Sequence, residues 1–420
     1  MNELSFMEKL LGGVTVEWKL LSDVFHLKNG YTPSKSKKEY WENGTIPWFR
    51  MDDLRENGSI LSDSLQKVSS HAVKGGKLFP ANSIIVSTSA TIGEHALITV
   101  PFLANQRFTC LTLQNKYSGL LDIKFLYYYC FLLSEWCTKN TTQSSFASVE
   151  MDGFKKYPIP IPCPENPEKS LQIQTEIVRI LDAFTELTAE LTAELTAELS
   201  ARKKQYNYYR DKLFSFEDGE VEWMPLGQIA QYSKDRIGAT ELDERNYVGV
   251  ENLLQDRAGK VDSNRVPNSG NLTGYRDGDI LIGNIRPYLK KIWQANITGG
   301  TNGDVLVIRA IDEGIDPRYL YQVLAGDNFF EYNMQHAKGA KMPRGNKTKI
   351  MDYPIPIPFP RDIDKSLEEQ ARIVKILDKF DALTNSITEG LPREIELRQK
   401  QYEYYRDLLL SFPKPDEQVA

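Results

Sequence analysis

The pattern of hydrophobic and polar positions is dominated by one long helical segment that occurs twice. Residues 157–216 and 353–412 align without a gap at a constant offset of 196, and more than half of the positions are identical. In each copy apolar residues recur at helical spacing, as Tyr206 and Tyr209 do. We predict that 169–216 is one helix, about 70 Å long. Because so long a helix needs a partner to bury its apolar stripe, we predict that the two copies pair antiparallel.

Each copy of this helix follows a variable block and a proline-rich run. Prolines at alternate positions exclude 157–162 from the interior of a sheet and predict an edge or an extended connector. Val16-Glu17-Trp18 returns as Val221-Glu222-Trp223, so the repeated unit also has a common opening. We expect four parts: a first variable domain (1–156), a first repeat helix (157–220), a second variable domain (221–352), and a second repeat helix with a tail (353–420).

The variable blocks contain short apolar runs separated by turn residues, and no kinship between them is visible by eye. The patterns that predict strands are Ser83–Ser87, Phe108–Leu113 and 279–282, those that predict helices are 120–137 and 317–325, and 299–303 predicts a loop. Each block is therefore expected to be a mixed α/β domain. The predicted fold class is α+β: two such domains separated by two long helices that form an antiparallel coiled coil with pseudo-twofold symmetry.

Local signals mark the ends of the long helices. Ser366 with Glu369 forms a capping-box pattern that predicts the start of the second helix. In the first copy, Asn166-Pro167 is an alternative start. Gly390-Leu391-Pro392 predicts a break in the second helix.

The first helix contains three consecutive copies of Thr-Ala-Glu-Leu (TAEL) over 188–199. Each copy lengthens a helix by about 6 Å and turns it about 40° beyond one full turn. A row of such units is suited to act as a ruler that sets the distance and twist between the two blocks. The alternative is that the repeat arose by strand slippage in the gene, in a helix that tolerates extra turns, and sets no distance.

Composition places the chain among globular proteins with more than one domain. It has 420 residues, 26% charged and 41% hydrophobic, which is too many for one ordinary core. No signal pattern or long apolar run is present, and the four cysteines show no metal or disulfide spacing, so we expect a cytoplasmic protein with reduced thiols. The net charge of -6 argues mildly against nucleic acid, but local basic clusters, rather than net charge, mark a DNA-binding surface.

Motifs for catalysis are missing from the sequence. It has no GxxxxGKS/T loop, no strand-flanked GxGxxG, no HExxH, and no Asp/Asn-Pro-Pro-aromatic tetrapeptide for adenine methyl transfer. The four histidines are scattered without partners. We therefore expect no catalytic residue, no metal site and no cofactor.

The remaining polar clusters suit binding. The basic loop, defined here as residues 337–350, carries five positive charges and no acid, and such loops neutralise phosphates while arginine reads guanine. A solvated basic loop is the alternative, and the aromatic residues of the second cluster, 283–293, are at least as suited to packing. The candidate DNA contacts of the second block are Asn284, Arg286, Tyr288, Lys290, Lys291, Lys338, Lys341, Arg344, Lys347 and Lys349.

The first block has weaker candidates of the same kind. Lysines and hydroxyls share 30–38, and amides suited to adenine lie in 105–107. Residues 141–148 occupy the place that the basic loop holds in the second block. The candidate DNA contacts are Tyr31, Thr32, Ser34, Lys35, Lys37, Lys38, Arg50, Ser87, Thr88, Ser89, Asn105, Gln106 and Arg107.

The twin QYxYYRD segments place aromatic residues on one face of each long helix. Packing between the helices and docking of another subunit are both open, because tyrosine and arginine are favoured at interfaces. The docking candidates are Tyr206, Tyr209, Arg210, Tyr402, Tyr405 and Arg406.

In this order, the motifs resemble the specificity subunit of a type I restriction-modification system. The resemblance covers nearly the whole chain and rests on the alternation of variable block and repeat, YPIPIPxP, EIVRILDxF with ARIVKILDKF, LPREIELRQKQYEYYRD, and the TAEL units of one subgroup. It implies that each variable block is a target recognition domain for one half of a split, asymmetric DNA site. It also implies that the helices fix the spacer and dock two modification subunits, which motor-nuclease subunits join, with no membrane partner.

Two other functions remain open. One is a self-contained nuclease or methyltransferase with an unrecognised site, against which the missing motifs count. The other is a protein-interaction scaffold without nucleic acid, which a steep salt dependence of binding to duplex DNA would exclude.

Overall fold

A computed structural model of the chain describes residues 6–142, 147–216, 220–385 and 390–413. The chain divides into two compact units. Unit 1 comprises residues 1–189 and 400–420, and unit 2 comprises residues 190–399. Both units mix helices with sheets, which confirms the predicted fold class.

Unit 1 is built on a five-stranded and a three-stranded sheet. Its strands are β1 (Val16–Leu20), β2 (Phe25–Asn29), β3 (Ile46–Phe49), β4 (Ile60–Leu61), β5 (Lys67–Val68), β6 (Ser83–Ser87), β7 (His95–Ile98), β8 (Leu103–Ala104), β9 (Phe108–Leu113), β10 (Thr141–Thr142), β11 (Ser148–Val149) and β12 (Pro158–Pro162). Its helices are α1 (Phe6–Leu11), α2 (Leu21–Val24), α3 (Met51–Asn57), α4 (Ile123–Lys139), α5 (Met151–Lys156) and the first part of α6 (Pro167–Leu213). The sheet orders are β2-β9-β6-β7-β4 and β5-β3-β8.

Unit 2 has two four-stranded sheets. Its strands are β13 (Val221–Pro225), β14 (Ala230–Tyr232), β15 (Arg236–Gly238), β16 (Tyr247–Val248), β17 (Asn271–Tyr275), β18 (Ile280–Gly283), β19 (Ile292–Gln294), β20 (Gly299–Thr301), β21 (Val305–Ala310) and β22 (Pro354–Pro358). The helices after α6 are α7 (Leu226–Ile229), α8 (Pro317–Leu324), α9 (Asp327–Gln335), α10 (Lys347–Met351), α11 (Ile363–Asn385) and α12 (Leu391–Leu409), of which α12 ends in unit 1. The sheet orders are β14-β21-β18-β19 and β15-β17-β20-β16.

The two units repeat one plan, although their sequences show no kinship by eye. The antiparallel order β2-β9-β6-β7 of unit 1 matches β14-β21-β18-β19 of unit 2. The following helices, α4 and α8, start at the N-caps Asp122 and Asp316, whose carboxylates accept from backbone N–H groups. The segments DIKFLYY (122–128) and DPRYLYQ (316–322) are the sequence trace of this relation.

The proline-rich runs lie at sheet edges, as predicted. β12 pairs with β1 in a two-stranded sheet, and β22 pairs with β13 in the same way. Prolines lack the N–H that a central strand requires. Between them Ile159, Ile161 and Ile355 are buried, so the runs anchor each unit by their isoleucines.

A buried glutamine joins the repeat helix to each variable block. Gln174 accepts from Asp122 N at 2.8 Å and donates to Leu120 O at 2.8 Å. Gln370, 196 positions later, accepts from Asp316 N at 2.9 Å and donates to Gly314 O at 2.9 Å. The repeated helix therefore holds two different blocks by the same contacts.

The long helices pack as predicted within each unit. In unit 1 the ring of Phe184 stacks on Tyr405 at 5.8 Å between centroids. In unit 2 the ring of Phe380 stacks on Tyr209 at 5.5 Å. Both partners are shifted by 196 positions, so the two contacts are images of each other. The Thr185 hydroxyl also bonds to the Tyr402 hydroxyl at 3.0 Å. Compared with the pair of Phe184 and Tyr405, this contact lies later in α6 and earlier in α12, as expected for antiparallel helices.

The predicted helix ends are confirmed except for one cap. α6 starts at Pro167, and Asn166 Oδ1 accepts from Lys169 N at 3.1 Å. The predicted capping box of Ser366 is wrong, because α11 starts three residues earlier and Asp362 Oδ1 caps it, at 3.1 Å from Lys365 N. The break before α12 is confirmed, and residues 386–389 lie outside the described residues.

Among the strands, one prediction is wrong. Residues 299–301 form β20 instead of a loop, since their glycines allow a close backbone approach: a Cβ on Gly299 would lie 2.0 Å from Asn246 O. The predicted strands Ser83–Ser87 and Phe108–Leu113 are confirmed, and α4 and α8 agree with prediction within three residues. None of the described helices combines the length and apolar composition that crossing a membrane requires.

Candidate nucleic-acid interface

In each unit, three chain segments are hydrogen-bonded at the edge of the four antiparallel strands that the units share. The segments are those around 88, 107 and 149 in unit 1 and around 284, 304 and 345 in unit 2. In unit 1 Thr88 lies between them: its N–H donates to Arg107 O at 2.9 Å, and its carbonyl accepts from Val149 N at 2.9 Å. In unit 2 Asn284 does the same: its N–H donates to Asp304 O at 2.8 Å, and its carbonyl accepts from Gly345 N at 3.1 Å. These shared bonds make Thr88 and Asn284 equivalent. We call the three bonded segments of each unit its loop scaffold.

The shared bonds extend to neighbouring positions. Arg107 N donates to Asn105 Oδ1 at 2.9 Å, and Asp304 N donates to Asn302 Oδ1 at 3.0 Å. An isolated bridge pairs Ser89 with Ser148, and another pairs Ile285 with Arg344. Arg107 is thus equivalent to Asp304, and Ser148 is equivalent to Arg344. The expectation that 141–148 takes the place of the basic loop agrees with this register at Ser148, and residues 143–146 lie outside the described residues.

In unit 1, the lysine-bearing loop 30–38 is held against the same scaffold. Tyr31 N donates to Ala104 O at 2.7 Å, and the Thr32 hydroxyl bonds to the Gln106 side chain. A Cβ on Gly30 would lie 2.3 Å from Ala104 O, so only glycine permits this approach. Among the predicted contacts, Thr32 and Gln106 are therefore brought together. The exposed ones are Ser34, Lys35, Lys37, Lys38, Gln106 and Arg107.

Other predicted contacts of unit 1 are internal. Ser87 is fully buried, and Thr88 bonds to the hydroxyl of Thr109 at 3.0 Å, so neither side chain is free for DNA. Tyr31 also turns inward and donates to Ala72 O at 3.0 Å. Arg50 is half-buried, with its guanidinium 5.8 Å from the Trp48 ring centre. Ser89 and Asn105 are half-buried.

In unit 2, the basic loop offers three exposed lysines. Lys338, Lys341 and Lys347 are exposed, and within the described part of the chain none of them forms an ion pair. Lys349 pairs with Asp352 at 3.0 Å, although both are exposed. Arg344 is exposed and pairs with Asp304 at 2.6 Å.

The neighbouring turn displays an aromatic ring on a constrained backbone. Arg286 and Lys290 flank the turn Pro287–Leu289 with φ of 53° and 48°, a left-handed conformation that is uncommon outside glycine. Between them Tyr288 is 50% exposed. Arg286 is also exposed, so this turn presents a ring and a cation together.

Three predicted contacts of unit 2 are corrected by burial or pairing. Asn284 is buried and serves through its backbone. Lys290 pairs with Asp327 at 2.7 Å, where Arg257 also binds. Lys291 donates to Val250 O at 2.8 Å, and burial lowers its pKa. Desolvated or paired amines of this kind hold the fold and add little attraction for phosphates.

The docking candidates divide into buried and exposed groups. Tyr206, Arg210 and Arg406 are buried, so the packing alternative accounts for them and they offer no surface. Arg210 donates to Gln322 at 2.8 Å, and burial raises the pKa of Tyr206 to about 12. The candidates that retain accessible surface are Tyr209, Tyr402 and Tyr405.

Two exposed tyrosines were missed by the sequence prediction. Tyr208 is 62% exposed and Tyr404 is 64% exposed, and they lie 196 positions apart. Each is adjacent in sequence to a predicted tyrosine and is more exposed than that neighbour. The helical period contains this signal, since adjacent residues lie about 100° apart on a helix.

Among the residues that the structure describes, no three potential metal ligands are grouped together. The four cysteines are free thiols and buried, and burial raises the pKa of Cys110, Cys130 and Cys137.

Comparisons with known proteins agree with this geometry. The family described as type I restriction modification DNA specificity domain matches residues 14–201 and 220–397. The EcoprrI type I restriction enzyme specificity subunit of Escherichia coli is 52% identical over 406 residues, which is 93% of each chain. The EcoR124I/EcoR124II type I restriction enzyme specificity subunit of Escherichia coli is 34% identical over 460 residues, which is 99% of each chain.

A solved structure has the same fold. It comes from work on complex assembly and conformational transition of the type I R-M system. The match covers 94% of this chain and 97% of that chain, with a TM-score of 0.63 and 15% identity. At this identity the likeness concerns the fold alone.

Proposed function

Because the chain belongs to the family of type I restriction-modification DNA specificity subunits, we propose that its two units each read one half of a bipartite, asymmetric DNA site. The chain is a non-catalytic subunit of its enzyme complex. The recognition domains are 1–156 and 221–352, and the segments 157–220 and 353–420 are the connecting repeats. One observation carries the proposal: the same loop scaffold occurs in both units with different side chains at equivalent positions.

Charge supports contact with the DNA backbone in both halves. Lys35, Lys37 and Lys38 are exposed in unit 1, and Lys338, Lys341 and Lys347 are exposed in unit 2. The acidic remainder of the chain does not oppose such contact, because phosphate attraction is local at physiological salt. These lysines position the duplex, while the side chains of the loop scaffold read bases.

The repeat helices supply the proposed partner surfaces and the spacing. Tyr208 and Tyr404 present equivalent exposed rings, which suits two copies of one modification subunit. Motor-nuclease subunits complete the complex, which acts on DNA in the cytoplasm. The TAEL row lies within the continuous helix α6, which supports its role as a ruler for the spacer.

Exchange of one block tests the proposal. Residues 227–352 are replaced by the same block of a relative that has another target, and the methylated sites in cells with the system are sequenced. We expect one half-site to change while the other half and the spacer remain. A change in both halves, or in neither, would refute independent reading by the two units.

A further inference from the structure

One arginine of the basic loop is fixed at its backbone. Arg344 N donates to Lys338 O at 2.8 Å, and Lys338 N donates to Arg344 O at 2.9 Å. On the other side of the loop, Arg286 N donates to Pro343 O at 2.7 Å. The backbone around Arg344 is thus held by Lys338 within the basic loop and by the neighbouring turn at Arg286, although the loop is exposed.

The side chain of the same arginine is also fixed. Its Nη1 donates to Asp304 Oδ1 at 2.6 Å. Asp304 cannot follow a moving arginine, because its N–H donates to Asn302 Oδ1 at 3.0 Å and its carbonyl accepts from Asn284 N at 2.8 Å. The Asp304 backbone is therefore held in place, and its carboxylate holds the Nη1 end of the Arg344 guanidinium.

The arginine nevertheless keeps donors for a ligand. Its side chain is 54% exposed, and that of Asp304 is 34% exposed. A guanidinium has five N–H donors in a planar fork, and the hydrogen bond to Asp304 engages Nη1, one of the two terminal nitrogens. An ion pair this exposed contributes little to folding, so stability alone is a weak reason for the arrangement.

Guanine is the ligand that matches a fixed arginine fork in the major groove. Its O6 and N7 are adjacent acceptors, and bidentate contact by arginine is the commonest specific contact to a base. We infer that Arg344 reads a guanine in the half-site of unit 2, and that Asp304 is the positioning residue for its guanidinium. This inference rests on the proposed function and assigns one base contact within it.

Unit 1 lacks this pair at the equivalent positions. Arg107 stands where unit 2 has Asp304, and Ser148 stands where unit 2 has Arg344. The Ser148 hydroxyl at the position of Arg344, with the Arg107 cation at the position of Asp304, cannot form the same bidentate contact with guanine. The two half-sites therefore differ in chemistry at this point, as an asymmetric site requires.

Binding to modified duplexes tests the assignment. The complex of the chain with its modification subunits is titrated with duplexes in which each guanine of the unit 2 half-site is replaced in turn by 7-deazaguanine, which lacks the N7 acceptor. We expect one replacement to weaken wild-type binding about 2- to 13-fold, because the lost N7 is one of the two acceptors of the bidentate contact. In Arg344→Lys, whose ammonium cannot form the fork, this sensitivity should disappear. In Asp304→Asn it should fall without disappearing.

Matched controls separate this role from general effects. Lys341→Ala, on the same loop, should weaken binding to all duplexes alike and leave the sensitivity to 7-deazaguanine intact. Retained preference for the other base pairs of the unit 2 half-site shows that unit 2 of each variant is folded. If Asp304→Asn loses that preference, Asp304→Glu takes its place in the same titration, and if Arg344→Lys loses it, Arg344→Met takes its place.

Three results would overturn the inference. They are a unit 2 half-site without guanine, wild-type binding that ignores every replacement, and full sensitivity in Arg344→Lys. If the complex instead prefers no sequence in either half, the proposed function itself fails, and the two failures are thereby distinguished.

Discussion

Unit 1 and unit 2 use the same backbone bonds to display different side chains. Thr88 and Asn284 each link the same two neighbouring segments, with hydrogen bonds of 2.8–3.1 Å. Beside them, Arg107 and Ser148 of unit 1 have the counterparts Asp304 and Arg344 in unit 2. The comparison teaches that the backbone carries the scaffold, so that the side chains are free to differ with the DNA sequence.

The largest expected difference between the units is in how their stability depends on pH, and its source is the buried His95 of unit 1. Burial lowers its pKa to about 4, and unit 2 has Ile292 at the first position of the matching strand. In the unfolded chain a histidine has a pKa of about 6.5. Unit 1 should therefore lose stability as the pH falls from about 6.5 to 4, by about 3 kcal/mol at most.

Hydrogen exchange resolved by strand measures this effect. β6 should lose protection over that pH range, while β18 provides the reference within the same chain. His95→Leu should remove the dependence in β6. Equal pH dependence in both strands would show that the loss comes from elsewhere.

The second prediction concerns the contacts that the units share. Gln174→Ala and Gln370→Ala each remove the acceptor of one backbone N–H and a donor to one backbone carbonyl, so each should cost about 1–3 kcal/mol. Chemical unfolding with probes in each unit gives the two values. Gln172→Ala, at an exposed position of the same helix, is the control and should have little effect. Unequal costs would show that the two glutamines do not hold their variable blocks equally.

Sequence signals were sufficient where the determinants are local or repeated. The Asn166 cap, the break at Gly390-Leu391-Pro392 and the alternate prolines act within a few residues. The pairing of Phe184 with Tyr405 follows from the repeat, because a helix too long to stand alone needs its copy. These features gave the fold class and the two long helices.

The pair of Asp304 and Arg344 was not predictable from the sequence. These residues lie 40 positions apart and meet only because the loop before β21 and the basic loop both bond to Asn284. Burial of Ser87 and Thr88 likewise depends on the sheet that surrounds them, since the STSAT run itself looks like an exposed polar loop. Tertiary contacts decided these cases.

The third prediction transfers the guanine-reading pair between units. Arg107→Asp combined with Ser148→Arg builds the unit 2 arrangement on the unit 1 scaffold. We expect the unit 1 half-site to acquire a preference for guanine at one position, of about 5- to 150-fold. Selection of duplexes from a randomised half-site measures it, with Ser148→Arg alone as the control. No new preference in the double variant would show that the scaffolds are not interchangeable.

The smallest expected effect concerns the exposed lysines, which should behave alike in both units. Replacing either Lys35, Lys37 and Lys38 or Lys338, Lys341 and Lys347 by alanine should reduce the salt dependence of DNA binding. The logarithmic slope should fall by about 0.9 for each phosphate that the variant no longer neutralises. Titrations at several salt concentrations give this slope for each triple variant. A slope that stays unchanged in one unit would remove those lysines from the interface.

The central claim is that reading belongs to the two units and spacing to the helix that connects them. Deletion of residues 192–195, one TAEL unit, followed by sequencing of methylated sites in cells with the system, tests it most directly. The account predicts that both half-sites remain unchanged and that the preferred spacer between them changes. An altered half-site, or an unchanged spacer, would contradict it.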